Sequence, residues 1–457
     1  MNRLPYLSSC SILITLMLAL TTGASAQQVG ERYTTDGTTA PAIAPGAPAG
    51  SFALSGFESV NNHNGNLNFA LPLLKIGGRG KAGYTIMLKI EHKWRVESVV
   101  HPNNCGPFGC SSYDKYWFQN PSWWEGISPG YGPGVLQGRV AGISRDCPET
   151  GTQGYAKTRL TFTGGDGTEY EFVDQLSNGQ PAFMGSGCFD GNNRGRVWVT
   201  NNGVNATFIS DTDIFENLQT HLIYPSGYMI LKDGTRYRID VGLVSWIRDT
   251  NGNKVTFIYS GARVTSITDS TNHVVTISYG ASFSDPDTIT YKGASGAPRT
   301  IIIGRTNLGS ALRSGFSVQT YHQLFPGLNN TQLTTPYDPN DKFSYVKLPN
   351  NRQYNFFYNS HGDLARVELP TGGAIEYEWS GSIYANGDAK EIMRWVTERR
   401  TYPNGGSGQN YELKTVYTRS SGSPPVSMEE NYNSSGALIS RQKYYYLGGP
   451  DWFPTST

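Results

Sequence analysis

The sequence predicts an all-β protein of stacked β-hairpin repeats that form a curved or spiralling sheet. First, a turn-plus-strand unit recurs: Asp233-Gly-Thr-Arg-Tyr-Arg-Ile239, Asn251-Gly-Asn-Lys-Val-Thr-Phe257, Thr271-Asn-His-Val-Val-Thr-Ile277, Asn350-Asn-Arg-Gln-Tyr-Asn-Phe356 and Thr371-Gly-Gly-Ala-Ile-Glu-Tyr377. The starts step by 18, 20 and later 21 residues, a period typical of stacked repeats. Second, the 28 tyrosines and 54 glycines favour strands joined by tight turns. Third, no helix-type periodicity interrupts the pattern. One such unit cannot bury its own apolar face, so its neighbours must cover it.

Taken in order, residues 1–26 read as a signal peptide. Arg3 is the positive region, Ile12 to Leu20 the apolar one, and Ala24-Ser-Ala26 a small-residue cleavage site. The apolar run is too short to span a bilayer, so no transmembrane anchor is expected after cleavage. Residues 27–50, rich in Pro, Ala and Thr, have the composition of a linker. Residues 51–160 form an N-terminal region. In it Leu67, Phe69 and Leu71 alternate as a half-buried strand, and Tyr84-Thr-Ile-Met-Leu-Lys-Ile90 is its hairpin partner across a glycine turn. Residues 92–150 hold four tryptophans, three cysteines and many glycines and prolines, which predicts long loops.

The first hairpin repeats occupy 161–279, beginning with Asp166-Gly-Thr-Glu-Tyr-Glu-Phe172, where Asp-Gly suits a hairpin turn. Glu169 and Glu171 would then lie on the solvated face. Residues 280–345 break the period and read as an insertion, and 346–457 resume the repeats up to about residue 446. The second half of each unit carries an apolar pair three residues apart: Val244 and Ile247, Val264 and Ile267, Leu364 and Val367. A flat strand cannot aim both at one face, so a bulge or twist is predicted there.

Removing residues 1–26 removes one basic residue and no acidic one, leaving 36 basic against 36 acidic groups. That balance offers no electrostatic case for nucleic acid or an anionic membrane. Cys105, Cys110, Cys147 and Cys188 survive cleavage, and an even count in an exported chain makes them disulfide candidates. A local bridge across Cys105-Gly-Pro-Phe-Gly-Cys110 is plausible, with free thiols as the alternative.

Tyr358-Asn-Ser-His-Gly-Asp-Leu364 and Tyr432-Asn-Ser-Ser-Gly-Ala-Leu438 resemble the signature of the RHS (YD-repeat) family. Leu348-Pro-Asn-Asn and Leu369-Pro-Thr-Gly-Gly resemble its Leu-Pro-x-Gly turns, and Asn64-Gly-Asn-Leu67 with Arg79-Gly80 its lead-in. The resemblance covers roughly residues 60–90 and 160–446. It implies a shell of spiralling hairpins, here a partial one, of the kind that long members use to hold a toxic C-terminal domain or to act at cell surfaces. The chain departs from that pattern in its few repeats, in lacking the segment that closes the shell, and in ending at Thr457 with no toxin domain.

Chemistry-bearing constellations are sparse. No nucleophile elbow or phosphate loop appears, the histidines lack metal-ligand spacing, and Asp211, Asp213 and Glu216 lack a calcium-loop pattern. No catalytic residue, metal or cofactor is assigned. The expected function is a non-enzymatic, exported scaffold, extracellular or at the outer cell surface, that shields or presents another polypeptide. Strands near Gln442–Tyr446 would leave an open edge for a second polypeptide or further repeats. The alternative is a carbohydrate- or cell-wall-binding surface protein using Trp94, Trp117, Trp123 and Trp124 in the 94–131 region.

Overall fold

Asp, Asn and Gly at regular intervals turn this chain back on itself, and a computed structural model shows antiparallel strands between those turns. It describes residues 51–446 except 54–56, 63, 78–79, 93, 107–108, 122–129, 143–154, 181, 184–191, 201–204, 217–221, 294, 328–333, 387–388, 409 and 421–424. The first strands are β1 (Ser51–Ala53), β2 (Glu58–Asn61), β3 (Leu67–Ile76), β4 (Tyr84–Ile90), β5 (Trp94–Gly106) and β6 (Gly109–Pro121). Next come β7 (Gly134–Gly142), β8 (Tyr155–Gly164), β9 (Glu169–Asp174), β10 (Ala182–Phe183), β11 (Val197–Thr200), β12 (Thr207–Ser210), β13 (Leu222–Ile223), β14 (Gly227–Ile230), β15 (Arg236–Asp240) and β16 (Leu243–Arg248). The repeats continue as β17 (Lys254–Ser260), β18 (Arg263–Thr268), β19 (Val274–Ser278), β20 (Asp287–Lys292), β21 (Pro298–Thr306), β22 (Lys342–Lys347), β23 (Gln353–Tyr358) and β24 (Leu364–Glu368). The last are β25 (Ala374–Asn386), β26 (Ala389–Tyr402), β27 (Leu413–Ser420), β28 (Val426–Asn433) and β29 (Leu438–Tyr445).

The pairings β7–β8–β9–β11–β12–β14–β15–β16 return to β7 through Leu243 opposite Val135, closing an 8-strand barrel. Eight strands leave an interior that side chains fill. Leu136, Leu160, Phe162, Phe172, Trp198, Phe208, Met229 and Ile239 are all buried there, so the barrel is packed and not a pore. The sheet then leaves the barrel. Trp246–Arg248 of β16 pair with β17, and every later strand adds beside its predecessor as far as β29, making a wall.

The predicted bulge is present in the hairpins that carry the offset-three pair. Register shifts fall between Arg238 and Ile239, Ile258 and Tyr259, Phe357 and Tyr358, and Asn431 and Tyr432. Each skips one residue of the returning strand, so Val244 and Ile247, Val264 and Ile267, and Leu364 and Val367 are all buried.

Two further devices repeat. At the hairpin turns Asp249, Asp269, Asn359 and Asn433 each accept the amide N–H groups two and four residues on, at 2.8–3.1 Å. Such side-chain caps fix a turn where the backbone has no partner of its own. Tyr259, Tyr279 and Tyr358 each donate a hydroxyl, and Trp379 its indole N–H, to the carbonyl fifteen residues earlier, at 2.7–2.9 Å. The aromatics thus stitch each hairpin to the one before.

The apolar face of the wall is covered by β2–β4 of the chain's own N-terminal sheet. Phe69 meets Phe356 edge-on at 5.8 Å and Tyr84 meets Phe257 at 5.2 Å. The Lys81 amide donates to Asp249 at 2.9 Å, and Arg399 Nε donates to the buried Glu58 at 3.0 Å. These contacts reach from the β16–β17 turn to β26. Residues of β2–β4, barrel and wall share one hydrophobic core.

Three expectations need correction. Residues 94–121 are not long loops but the paired strands β5 and β6. The stretch read as an insertion contributes β20 and β21 to the sheet, then an excursion with a one-turn helix, α1 (Tyr321–Leu324). A capping box of Thr320 with Gln323 starts that helix, a local signal too short to show as periodicity. Glu171, on the outer face of the barrel opposite the inward Phe172, is buried and not solvated, and it pairs with Arg159 of the neighbouring strand at 3.2 Å.

Candidate functional site

Strand β29 ends the sheet. It pairs with β28 on one side and has no partner strand on the other among the described residues. Leu438, Ile439 and Tyr445 are 46%, 59% and 64% exposed on it. The Tyr446 amide donates to the Pro425 carbonyl at 3.0 Å, which sets the alternation of the antiparallel ladder. Amides 444 and 442 therefore point to β28, while those of Tyr445 and Lys443 point outward, where no partner strand lies among the described residues. Arg441 and Lys443 place positive charge along this edge, and Glu430 already holds Arg441 at 2.6 Å.

A second candidate is a polar cluster buried beneath the 359–363 turn. His92 faces the Tyr337 hydroxyl at 3.2 Å and the Lys342 ammonium at 3.4 Å, and Lys342 also donates to the Gly362 carbonyl at 3.3 Å. Arg394 Nε donates to Asp363 at 2.6 Å. Burial pushes His92 well down, with Lys342 adding to it, and burial likewise lowers Lys342. Asp363 stays below its ordinary value: burial raises it, but Arg394 and then His92 and His361 outweigh that. Such perturbed groups often mark active sites. The adjoining space is only about 20 Å³, room for one water and no substrate. The Trp94 indole donates to the His361 carbonyl at 3.1 Å, so the cluster fastens the N-terminal region to the wall.

His361 supplies a pH prediction. Burial, then Arg394, hold it at about 4 against an ordinary 6.5. Between those values the unfolded chain binds the extra proton. Stability is full above pH 6.5 and falls as pH drops to about 4, by about 3 kcal/mol for this group. His361→Gln should flatten that acid limb in unfolding midpoints measured against pH. An unchanged limb would show that His361 titrates freely in the fold.

The residues expected to carry function are dispersed. Trp94 is buried against Phe325 at 4.8 Å and Tyr337 at 4.7 Å, a core position that offers no stacking face. Trp117 lies on β6, and Trp123 and Trp124 lie outside the described residues. Cys105 and Cys110 occupy opposite register positions of β5 and β6, while Cys147 and Cys188 lie outside the described residues, as does the signal peptide. Asp211, Asp213 and Glu216 each answer a different arginine: Arg238, Arg196 and Arg194. Sequence reasoning placed a sheet edge near Gln442–Tyr446, where β29 has no outer partner strand among the described residues. It missed the His92, Lys342 and Asp363 cluster, whose members lie up to 271 positions apart (363 − 92), with only the Tyr-Asn turn motif at 358–359 as a signal.

No protein-family model matches the chain, and no curated protein matches it. Among solved structures, a crystal structure of TcdB2-TccC3 overlaps 86% of this chain and 26% of its own, at 9% identity and a TM-score of 0.14. One of TcdB2-TccC3-TEV overlaps 85% and 23%, at 10% identity and a TM-score of 0.13. The chain spans about a quarter of the length of these structures. Among the described residues, no helix is long and apolar enough to cross a membrane.

Proposed function

We propose that this protein is a non-enzymatic scaffold of the RHS (YD-repeat) type, exported from the cell, whose terminal strand β29 receives an extended segment of a second polypeptide. The outer edge of β29, which has no partner strand among the described residues and is flanked by exposed Leu438, Ile439 and Tyr445, carries this reading. Main-chain bonds to a free edge give affinity, and alternate side chains give selectivity. Lys443 opposes indiscriminate stacking and favours an incoming strand with a carboxylate opposite it. The aromatic stitches and Asx turns support the family reading, since they give the Tyr and Asn of the Tyr-Asn motif defined mechanical roles. Export rests on the sequence signals in residues 1–26.

The test is a photo-crosslinking side chain at position 445 in the organism that makes the protein. One dominant cross-linked polypeptide is expected. Lys443→Pro should abolish it, because it removes an outward amide and leaves the ladder to β28 intact. A product that persists in the well-folded Lys443→Pro protein, or no product at all, contradicts the proposal.

A further inference from the structure

Strands β5 and β6 form a two-stranded ribbon that pairs with no other strand among the described residues. Its base is fastened to the wall by His92 and Trp94. Trp94 sits in an aromatic socket, against Tyr337 at 4.7 Å, Phe325 at 4.8 Å and Tyr321 of α1 at 6.2 Å. Its indole N–H donates to the His361 carbonyl at 3.1 Å.

His92 packs edge-on to Trp94 at 5.2 Å, and both of its ring nitrogens are engaged. Nδ1 faces the Lys342 ammonium at 3.4 Å, and Nε2 faces the Tyr337 hydroxyl at 3.2 Å. An ammonium can only donate, so Nδ1 accepts, and the ring proton sits on Nε2 and is donated to Tyr337. The contact therefore requires a neutral imidazole. A proton on Nδ1 removes the acceptor and sets a second positive charge against Lys342. Among the neighbours, Asp363 favours a charge on His92, while Lys342 of β22, Arg394 of β26 and His361 oppose it, and burial opposes it most. Arg394 already engages Asp363 at 2.6 Å, and Glu91 is paired with Lys89 at 2.6 Å. Asp341 acts on Lys342 and favours its charge.

We propose that His92 is an acid-released latch, whose protonation unseats Trp94 and frees the base of the β5–β6 ribbon while β2–β4 stay on the wall. Burial sets the direction. His92 in the closed latch titrates well below the ordinary 6.5, so closure is fully stabilised above pH 6.5 and weakens as pH falls below it. Once released, the imidazole recovers its ordinary value, and each pH unit below that lowers the closure constant about tenfold. The hold of β2–β4 uses no histidine: it rests on Phe69 against Phe356, Tyr84 against Phe257, and Glu58 with Arg399.

The experiment follows exchange of the Trp94 indole proton by NMR in the full chain with isotope-labelled tryptophan, corrected for the intrinsic pH dependence. Its protection should fall about tenfold per pH unit between about pH 6.5 and 4.5. The Trp379 indole, bonded to the Leu364 carbonyl in the wall, and the buried Trp198 indole in the barrel should keep theirs over the same range. His92→Gln can still accept from Lys342 and donate to Tyr337 but takes no proton. It should abolish the pH dependence at Trp94, whatever its protection at neutral pH, and its Trp379 and Trp198 signals report that it is folded. Protection of Trp94 in the parent that does not change with pH would overturn the proposal. So would a fall shared equally by all three indoles, or a pH dependence that persists in folded His92→Gln.

Discussion

Phe69→Ala lowers the unfolding free energy by about 3–5 kcal/mol, read from the shift in denaturant midpoint. Phe69 is fully buried and lies edge-on to Phe57 at 5.4 Å and to Phe356 at 5.8 Å. Truncation removes the ring's burial and leaves a cavity between two sheets, each of which the other keeps dry. Ile209→Ala, at a residue 40% exposed on the barrel, is the control and should cost far less. A small loss at Phe69 would mean that the N-terminal sheet only rests on the wall.

Arg194→Met is the second large effect, about 3–5 kcal/mol, because it strands buried charge. Arg194 Nε donates to Glu216 at 2.7 Å, and its Nη1 donates to the Ser177 hydroxyl at 2.8 Å and the Gln180 carbonyl at 3.0 Å. Asp174 lies 3.5 Å away, and all three ionised groups are almost wholly buried. Glu216 also accepts from Thr158 at 2.8 Å and Asn192 at 2.9 Å, so the network ties barrel strands to their loops. Adding Glu216→Met to Arg194→Met should recover part of the loss, since the double variant removes both members of the pair. Equal or additive damage in the double variant would show that Arg194 acts through packing alone.

The hairpin stack was legible because its signals are local. Asp-Gly and Asn-Gly turns, alternation at Tyr170 and Phe172, and the offset-three pair Val264 and Ile267 each sit within one or two strands. The bulge followed from that offset alone. Closure of the barrel was not legible: Leu243 meets Val135 across more than one hundred positions, and neither residue announces the other. The same holds for Glu58 with Arg399 and for His92 with Lys342, whose pairing depends on the N-terminal sheet crossing the wall. Residues 94–121 misled because tryptophan, proline and glycine in mixture hide the alternation of a long ribbon. Of the proposed functional features, the edge at β29 could be foreseen from the last repeat.

Repeats that cannot bury their own apolar face are completed, in this fold, by residues 57–90 of the same chain. Hydrogen exchange of the native protein and of Phe69→Ala under mildly destabilising conditions tests this most directly. If sheet and wall form one cooperative core, amides of β17 and β23 lose protection together with those of β3, by the same free energy. Loss confined to residues 57–90, with β17 and β23 as protected as before, would show that the wall stands without its cover and would contradict the account.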